Sequence, residues 1–429
     1  MFKVLVIAYY YPPMGLSGVQ RVLKFTKYMK QFGWEPTVIS TDKTAYSYYA
    51  HDKSLMTEAE KAEIKIIRTG GKDPNSLLAK RGTVKMPRES IRKFFGRVSK
   101  TVFIPDNKKF WSKKACKVAR KILAEDEFDM IFVSVPPFSQ FQVAIKLKKE
   151  FDLPLIVDYR DSWIDNHFAF YPTPYHRWKN KRLEYASLRY ADKVIVVNRR
   201  IKEKLLRNYR FLSFGDIEII PHGFDPKDFE NVQPIVFKEK KLRILYSGIF
   251  YENITPKYFL KAFKELSEER PDITENIELH FIGHFRKENK KLVKKLKLFE
   301  SVIDHGYLDH NEAIRYLVSM DVLWLMLGEG KSMDMVTAGK LFEYFGTRKP
   351  IIACVPEGAS KVAVKNYDAS FITKPDDIKE IKKVFIKVYN LFQRNALPTP
   401  NEEFVMEHDR KHLTHRLVKE FQFHLKEIS

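Results

Sequence analysis

The chain has only two cysteines, Cys116 and Cys354, in 429 residues. That number excludes a disulfide framework and any thiolate zinc site, and it fits a reducing compartment. Long apolar runs are missing as well, with nothing near the roughly 18 residues of a membrane-spanning helix. The 17 Gly and 21 Pro follow no period, which excludes collagen-like and low-complexity structure. The opening apolar stretch lacks the marks of a signal peptide. It is short, carries Lys3, and runs into Tyr9-Tyr10-Tyr11-Pro12-Pro13 without a small-residue cleavage site, so a buried strand is expected instead. Acids are outnumbered too, 54 Asp and Glu against 76 Lys and Arg, for a net charge of +22. These absences together predict a soluble, cytoplasmic protein.

What is present is apolar surface, 44% of residues hydrophobic and 14% aromatic. This is ample to offset ordering entropy and excludes a disordered chain. The length is too great for one core and predicts two or three domains. The positive charge is concentrated. Between Lys72 and Lys121 there are 16 basic residues and three acids, a net of +13, and Arg286–Lys297 holds seven basic residues and one acid. Such patches point to an anionic partner: nucleic acid, anionic lipid or a phosphorylated substrate. Solubilising charge is the preferred reading of the second cluster.

Hydrophobic patterning alternates between strand and helix. Lys3–Ala8 reads as a continuous apolar strand, Gly15–Gly18 as a turn, Val19–Phe32 as a helix stopping at Gly33, and Pro36–Ser40 as the next strand. Met130–Val135, Leu155–Asp158 and Lys193–Val197 continue the series. After a polar linker at 231–240 the pattern restarts with strands at Leu242–Tyr246, Ile277–Ile282, Val322–Met326, Pro350–Val355 and Ser370–Thr373, with helices between them, among them Pro256–Glu268 and 287–299. The expected fold is α/β, two doubly wound Rossmann-like parallel-sheet domains in tandem. The domains are placed at 1–230, including the basic segment 72–121, and at 231–400. A charged helical tail at 401–429 is expected to pack back on the first domain.

Three clusters carry chemistry. Gly15 and Gly18 lie where the first strand hands over to a helix, with Arg21 one turn further on. Glycines there let a backbone approach a phosphate at a helix N-terminus, and a plain turn explains them equally well. Asp158-Tyr-Arg160-Asp161-Ser-Trp163 follows a buried strand directly, where ligands of open α/β sheets bind; an internal Arg–Asp pair that steadies a loop is the alternative. Thr337-Ala338-Gly339-Lys340 reads as a helix N-terminus facing an anion. Lys340 and Glu343, three apart, share one helix face. They pair a phosphate counter-charge with a carboxylate suited to vicinal hydroxyls, as a ribose diphosphate requires. An exposed Lys–Glu pair of little weight is the alternative. Glu125-Asp126-Glu127 reads as a solvated helix end.

Taken together, these segments resemble the family 4 glycosyltransferases, retaining enzymes of the GT-B fold that use nucleotide-sugar donors, and within them the subgroup with an Arg-Asp-x-Trp signature. The resemblance rests on Tyr10-Tyr11-Pro12-Pro13 with Gly15, Gly18 and Arg21; Asp158–Trp163; Ala191–Val197; Ile220-Pro-His-Gly-Phe-Asp225; Ile244–Gly248; and Gly339–Tyr344 with Lys349-Pro350. They stand in family order over nearly the whole chain. It implies that Gly15 and Gly18 approach the donor phosphates or the transferred sugar, and that Glu343 binds the donor ribose. Thr337, Gly339 and Gly248 would lie with it on the donor side, in the second domain. Where the family has a first glutamate this chain has Met335. Ile249 stands where an arginine commonly follows Gly248, which leaves Lys257 as the nearest basic candidate and Lys340 as a substitute for gripping the diphosphate. Arg160 and Asp161 are the catalytic candidates, with Asp161 orienting the acceptor.

The expected activity is retaining transfer of a sugar from a UDP- or GDP-sugar to a glycan or polyprenyl-diphosphate-linked acceptor, in surface polysaccharide synthesis. The site would be a cleft between the domains, and neither a metal nor another cofactor is expected because Lys and Arg supply the charge. The alternative is a catalytically inactive GT-B-fold scaffold. Residues 88–103 add a partner: Ile91, Phe94, Phe95, Val98 and Val102 keep helical spacing and are flanked by Arg88, Arg92, Lys93, Arg97 and Lys100. That pattern fits a helix on the inner face of an anionic membrane, or a core-packing helix with a solvated basic face. Nucleic acid is not expected as a partner, since no recognised motif accompanies the charge.

Overall fold

The computed structural model describes residues 1–15, 17–42, 51–70, 89–251 and 253–426. Residues 72–88 of the basic segment, and with them Arg88, lie outside the described residues, and the side chains of Ile91 and Arg92 are not described. The chain divides into two compact units. The first takes in the described residues of Met1–Val84, Ser90–Gly223 and Arg410–Ser429, the second those of Lys85–Glu89 and Phe224–Asp409.

The first unit is built on seven parallel strands: β1 (Phe2–Ile7), β2 (Trp34–Thr41), β3 (Lys65–Thr69), β4 (Met130–Val135), β5 (Leu155–Tyr159), β6 (Lys193–Val196) and β7 (Ile217–Ile219), in the order β3-β2-β1-β4-β5-β6-β7. All six residues of β4, MIFVSV, are buried, as a parallel strand covered on both faces requires. The helices are α1 (Ser17–Met29), α2 (Lys53–Lys61), α3 (Glu89–Val102), α4 (Lys109–Glu125), α5 (Ser139–Phe151), α6 (Pro174–Tyr190) and α7 (Arg199–Asn208). After α1 a single 3-10 turn runs to Phe32. It stops at Gly33, whose φ of 82° is a left-handed conformation that suits glycine.

The second unit repeats the scheme with six parallel strands: β8 (Leu242–Ser247), β9 (Ile277–Ile282), β10 (Val302–Gly306), β11 (Val322–Met326), β12 (Ile351–Cys354) and β13 (Ser370–Thr373), in the order β10-β9-β8-β11-β12-β13. Its helices are α8 (Lys257–Glu269), α9 (Pro271–Thr274), α10 (Lys287–Lys295), α11 (His310–Ser319), α12 (Lys340–Thr347), α13 (Ala359–Tyr367), α14 (Ile378–Gln393) and α15 (Glu402–Met406). The last helix, α16 (Arg410–Lys426), belongs to the first unit, where it packs on α1. Residues 224–230 and 401–409 group with the second unit.

Both sheets are doubly wound parallel sheets, as the patterning predicts. Each reverses its strand order beside its first strand, at β1/β4 and at β8/β11. Ligands of such sheets bind at the carboxyl ends of the strands near that reversal. The loops after β1, β5 and β8 and the N-terminus of α12 lie there.

Candidate functional site

In the first unit the two predicted arginines are turned inward. Arg21 is fully buried. Its Nε and Nη2 donate to the Asp158 carboxylate at 2.8–3.1 Å, and its Nη1 and Nη2 donate to the carbonyls of Pro221 and Ile220 at 2.7 and 3.0 Å. Ser134 Oγ donates to Asp158 at 2.7 Å. A charge pair taken fully out of water needs hydrogen bonds of this completeness. It ties α1, the end of β5 and the loop after β7 into one block. Arg160 is 6% exposed and donates to the carbonyls of Gly18, Val135 and Pro136. Its guanidinium lies so close to Gly18 that a Cβ there would stand 2.7 Å from Nη1. Gly18 therefore makes room for Arg160. Both arginines hold the loops after β1, β4 and β5 in place, and all three nitrogens of each guanidinium are engaged with the protein. Gly15 lies two residues before α1.

Asp161 is the polar group these arginines leave at the surface. Solvent reaches it, yet the protein around it pushes its carboxyl pKa up. Desolvation is the main cause and Asp158 adds to it, while Arg160 acts the other way. His222, half-buried, has its pKa pushed well below 6.5 by desolvation and then by Arg21, Arg410 and Arg160. Burial and the three cations both favour its neutral imidazole. Sequence reasoning did not assign His222; its one signal was its place between Pro221 and Gly223 in a segment already singled out.

The loop carrying Asp161 is held from behind. Trp163 N–H donates to Tyr159 Oη at 2.6 Å, and Tyr159 and Tyr209 both donate to Glu184, which is buried. Trp163 stacks on Phe138 with centroids 4.5 Å apart and donates from Nε1 to Asn180 at 3.0 Å. Trp163, a marker in the sequence, is thus a packing residue.

In the second unit Gly248, Lys340 and Glu343 are brought together by α12 and the end of β8. Tyr344 Oη accepts from Ser247 N–H at 2.9 Å and donates to Trp324 O at 3.2 Å, which pins α12 to the carboxyl end of β8 and the middle of β11. This places Lys340, the first residue of α12, with Nζ 3.8 Å from the centroid of Tyr246. A Cβ on Gly248, whose φ is 129°, would stand 2.4 Å from that Nζ. Desolvation pushes the Lys340 pKa down to about 7, with Glu343 acting the other way. Glu343 lies one turn on, mostly buried, with Oε1 3.5 Å from His310 Nδ1; His310 Nε2 lies 3.0 Å from Asp228. His310 thus lies between the Asp228 and Glu343 carboxylates. Neither His310 nor Asp228 was singled out from the sequence, because they come from α11 and from a loop 82 residues before it.

Thr337 and Gly339 lead into α12, and Gly339 is its N-cap residue. Lys257 begins α8, exposed, with Nζ 5.1 Å from the Tyr258 ring; no contact joins it to Lys340 or Glu343 among those described. Met335 is buried in the short turn before α12, so no carboxylate stands at that position. One cation, one oriented carboxylate and a glycine-lined strand end suit a diphosphate joined to a diol.

Two family models match in tandem: Glycosyltransferase Family 4 over residues 17–228 and Glycosyl transferases group 1 over residues 227–396. No curated protein sequence matches the chain. Among solved structures it is similar to sucrose-phosphate synthase from Thermosynechococcus elongatus, at 14% identity over 100% of both chains with a TM-score of 0.66. It is similar to HepE of Anabaena in complex with UDP-glucose, at 12% identity over 98% of this chain and 100% of that one, TM-score 0.63. The lipopolysaccharide outer core galactosyltransferase WaaB is similar at 15% identity over 98% and 99%, TM-score 0.54. At these identities the structures speak for the fold alone, while the two models speak for the family over 17–396. The chain belongs to the glycosyltransferases of the family 4 type, built on the GT-B fold.

Proposed function

We propose that the chain transfers a sugar, with retention of its anomeric configuration, from a UDP- or GDP-sugar to a glycan or polyprenyl-diphosphate-linked acceptor at the inner face of the membrane, in surface polysaccharide synthesis. The observation that carries the reading is α12, which sets the Lys340 ammonium against Gly248 and the Glu343 carboxylate against His310. The complex of HepE with UDP-glucose supports the donor class.

In this reading Glu343 accepts from the ribose hydroxyls, and Lys340 and the N-terminus of α12 meet the diphosphate. As the bond from the sugar C1 to the phosphate oxygen breaks, negative charge grows on the diphosphate and the sugar becomes oxocarbenium-like. A protonated Lys340 stabilises the charge where it develops. The acceptor hydroxyl attacks from the same face and its proton passes to the departing phosphate oxygen, so no protein nucleophile is required. Asp161 orients the acceptor. Gly15 and Gly18 contribute backbone, whereas Arg21 and Arg160 act by holding the loops. With Lys340 and the N-terminus of α12 meeting the diphosphate, the reading calls on no metal.

A calorimetric panel of UDP-, GDP- and ADP-sugars tests the reading. One donor should bind without added metal, and Glu343→Ala should weaken it by about 1–3 kcal/mol, the size of a lost charge-assisted hydrogen bond. Unchanged affinity in a folded variant removes the assignment of α12. Absence of binding to all of them, in folded wild-type protein, would favour the scaffold reading, for which Met335 and Ile249 speak.

A further inference from the structure

The helix α3 carries an apolar row that the fold leaves in water. Phe94, Phe95, Val98 and Val102 are 63%, 61%, 46% and 62% exposed. A core-packing helix would bury that row, so this alternative is removed. The basic residues Lys93, Arg97 and Lys100 on the same helix are exposed as well. A second helix of the first unit joins it. His176 of α6 lies with Nε2 3.0 Å from Thr101 O, the Lys100 ammonium donates to Phe168 O, and Arg97 lies over the Phe170 ring at 5.4 Å. Beside His176, Tyr175 and Trp178 are 57% and 50% exposed, their rings 5.8 Å apart. The helix α6 turns Arg177, Lys179, Lys181 and Arg182 to solvent, and its one acid, Glu184, is buried.

We propose that α3 and the N-terminal turns of α6 form one docking surface for an anionic lipid bilayer, with the ring of Trp178 entering the interface. The mixture of side chains selects the occupant. Dry protein interfaces deplete lysine from their apolar centres, whereas here cations and apolar groups alternate along one helix. At a bilayer both are satisfied: the apolar row enters the acyl boundary and the long cationic stems reach up to the phosphates. Exposed tyrosine and tryptophan suit the same headgroup level. A nucleic acid would neutralise the charge but leave Val98 and Val102, which have no aromatic face for a base, in water. The surface does not depend on the chemistry at α12, and the two can fail separately.

The chain supplies its own reporter. Of its five tryptophans, Trp34, Trp111, Trp163 and Trp324 are at most 3% exposed and Trp178 is the exposed one. The full chain is mixed with vesicles of phosphatidylcholine alone, or of equimolar phosphatidylcholine and phosphatidylglycerol, with and without brominated acyl chains. The expected result is flotation with the anionic vesicles only, weakened by salt, and quenching of tryptophan emission by bromine. Phe94→Ser with Phe95→Ser should cut vesicle binding by about tenfold or more with an unchanged melting temperature, and Trp178→Phe should remove the quenching while binding persists. Vesicle binding retained in full by the double variant, bound vesicles without quenching, or salt-sensitive RNA binding in place of vesicle binding would each overturn the proposal.

Discussion

Lys340 has the wrong sign for its position. It stands at the first residue of α12, where the helix dipole disfavours a cation, and burial lowers its pKa to about 7. In the empty protein near neutral pH about half the molecules carry the charge there. In the proposed site a bound diphosphate would raise that pKa, so binding would take up a proton. The free form sheds its proton above pH 7 while the complex keeps it, so affinity should be greatest below pH 7 and fall as pH rises above it. Titrations at pH 8 in buffers of differing ionisation enthalpy should register uptake of most of one proton per UDP bound, and Lys340→Met should abolish it. Equal heats in all buffers would take Lys340 out of the diphosphate site. The pairing of Lys340 with Glu343 was legible because both lie on one helix turn. The loop-steadying role of Arg160 was among the alternatives, whereas the partner of Arg21 was not legible, since Asp158 stands 137 residues from it and local spacing carries no record of such a partner. The same blindness hid His310.

Among the elements, Glu184 gives α6 a second task, to hold the end of β5. Desolvation pushes its pKa up to about 7 from an ordinary 4.5, against the lowering effect of the Tyr159 and Tyr209 hydrogen bonds. The native state therefore keeps this proton to higher pH than the unfolded chain. Its contribution to stability is full below pH 4.5 and is lost as pH rises to 7, by at most about 1.4 kcal/mol per pH unit. Glu184→Gln cannot ionise. Measured by urea unfolding, its stability relative to wild type should be higher at pH 7.5 than at pH 5, and parallel pH profiles would disprove the assignment. The strands show which elements a sequence announces. Every interior strand was legible from its apolar residues, most plainly MIFVSV in β4. The three that were missed, β3, β7 and β10, are edge strands. Covered on one side only, β3 and β10 need few apolar residues, and their burial is partial. Edge strand β13 was found because Phe371 and Ile372 still mark it.

At the scale of the molecule, the chain returns at its end to the unit where it began. Leu413, Leu417, Val418 and Phe421 of α16 are at most 1% exposed. Phe421 meets Trp34 and Phe132 with centroids 5.0 and 5.6 Å apart, and His415 stacks on Phe32 at 4.9 Å. Arg416 pairs with Glu218 at 2.6 Å and Lys193 with Glu420 at 2.8 Å. The first unit thus completes its core with residues that follow the whole of the second unit in the chain. Contacts so far apart in sequence carry a large loop-closure entropy, which slows their formation. The second unit has no share in these contacts, and this gives a test with spatial resolution. Phe421→Ala should cost about 3–5 kcal/mol, the usual range for a buried phenylalanine. Hydrogen exchange should lose protection in β1, β2, β4 and α1 and keep it in β8 to β13. Protection lost equally in both sheets would mean that the two units unfold as one, and α16 would then be a strap on the stability of the whole chain and not of the first unit alone.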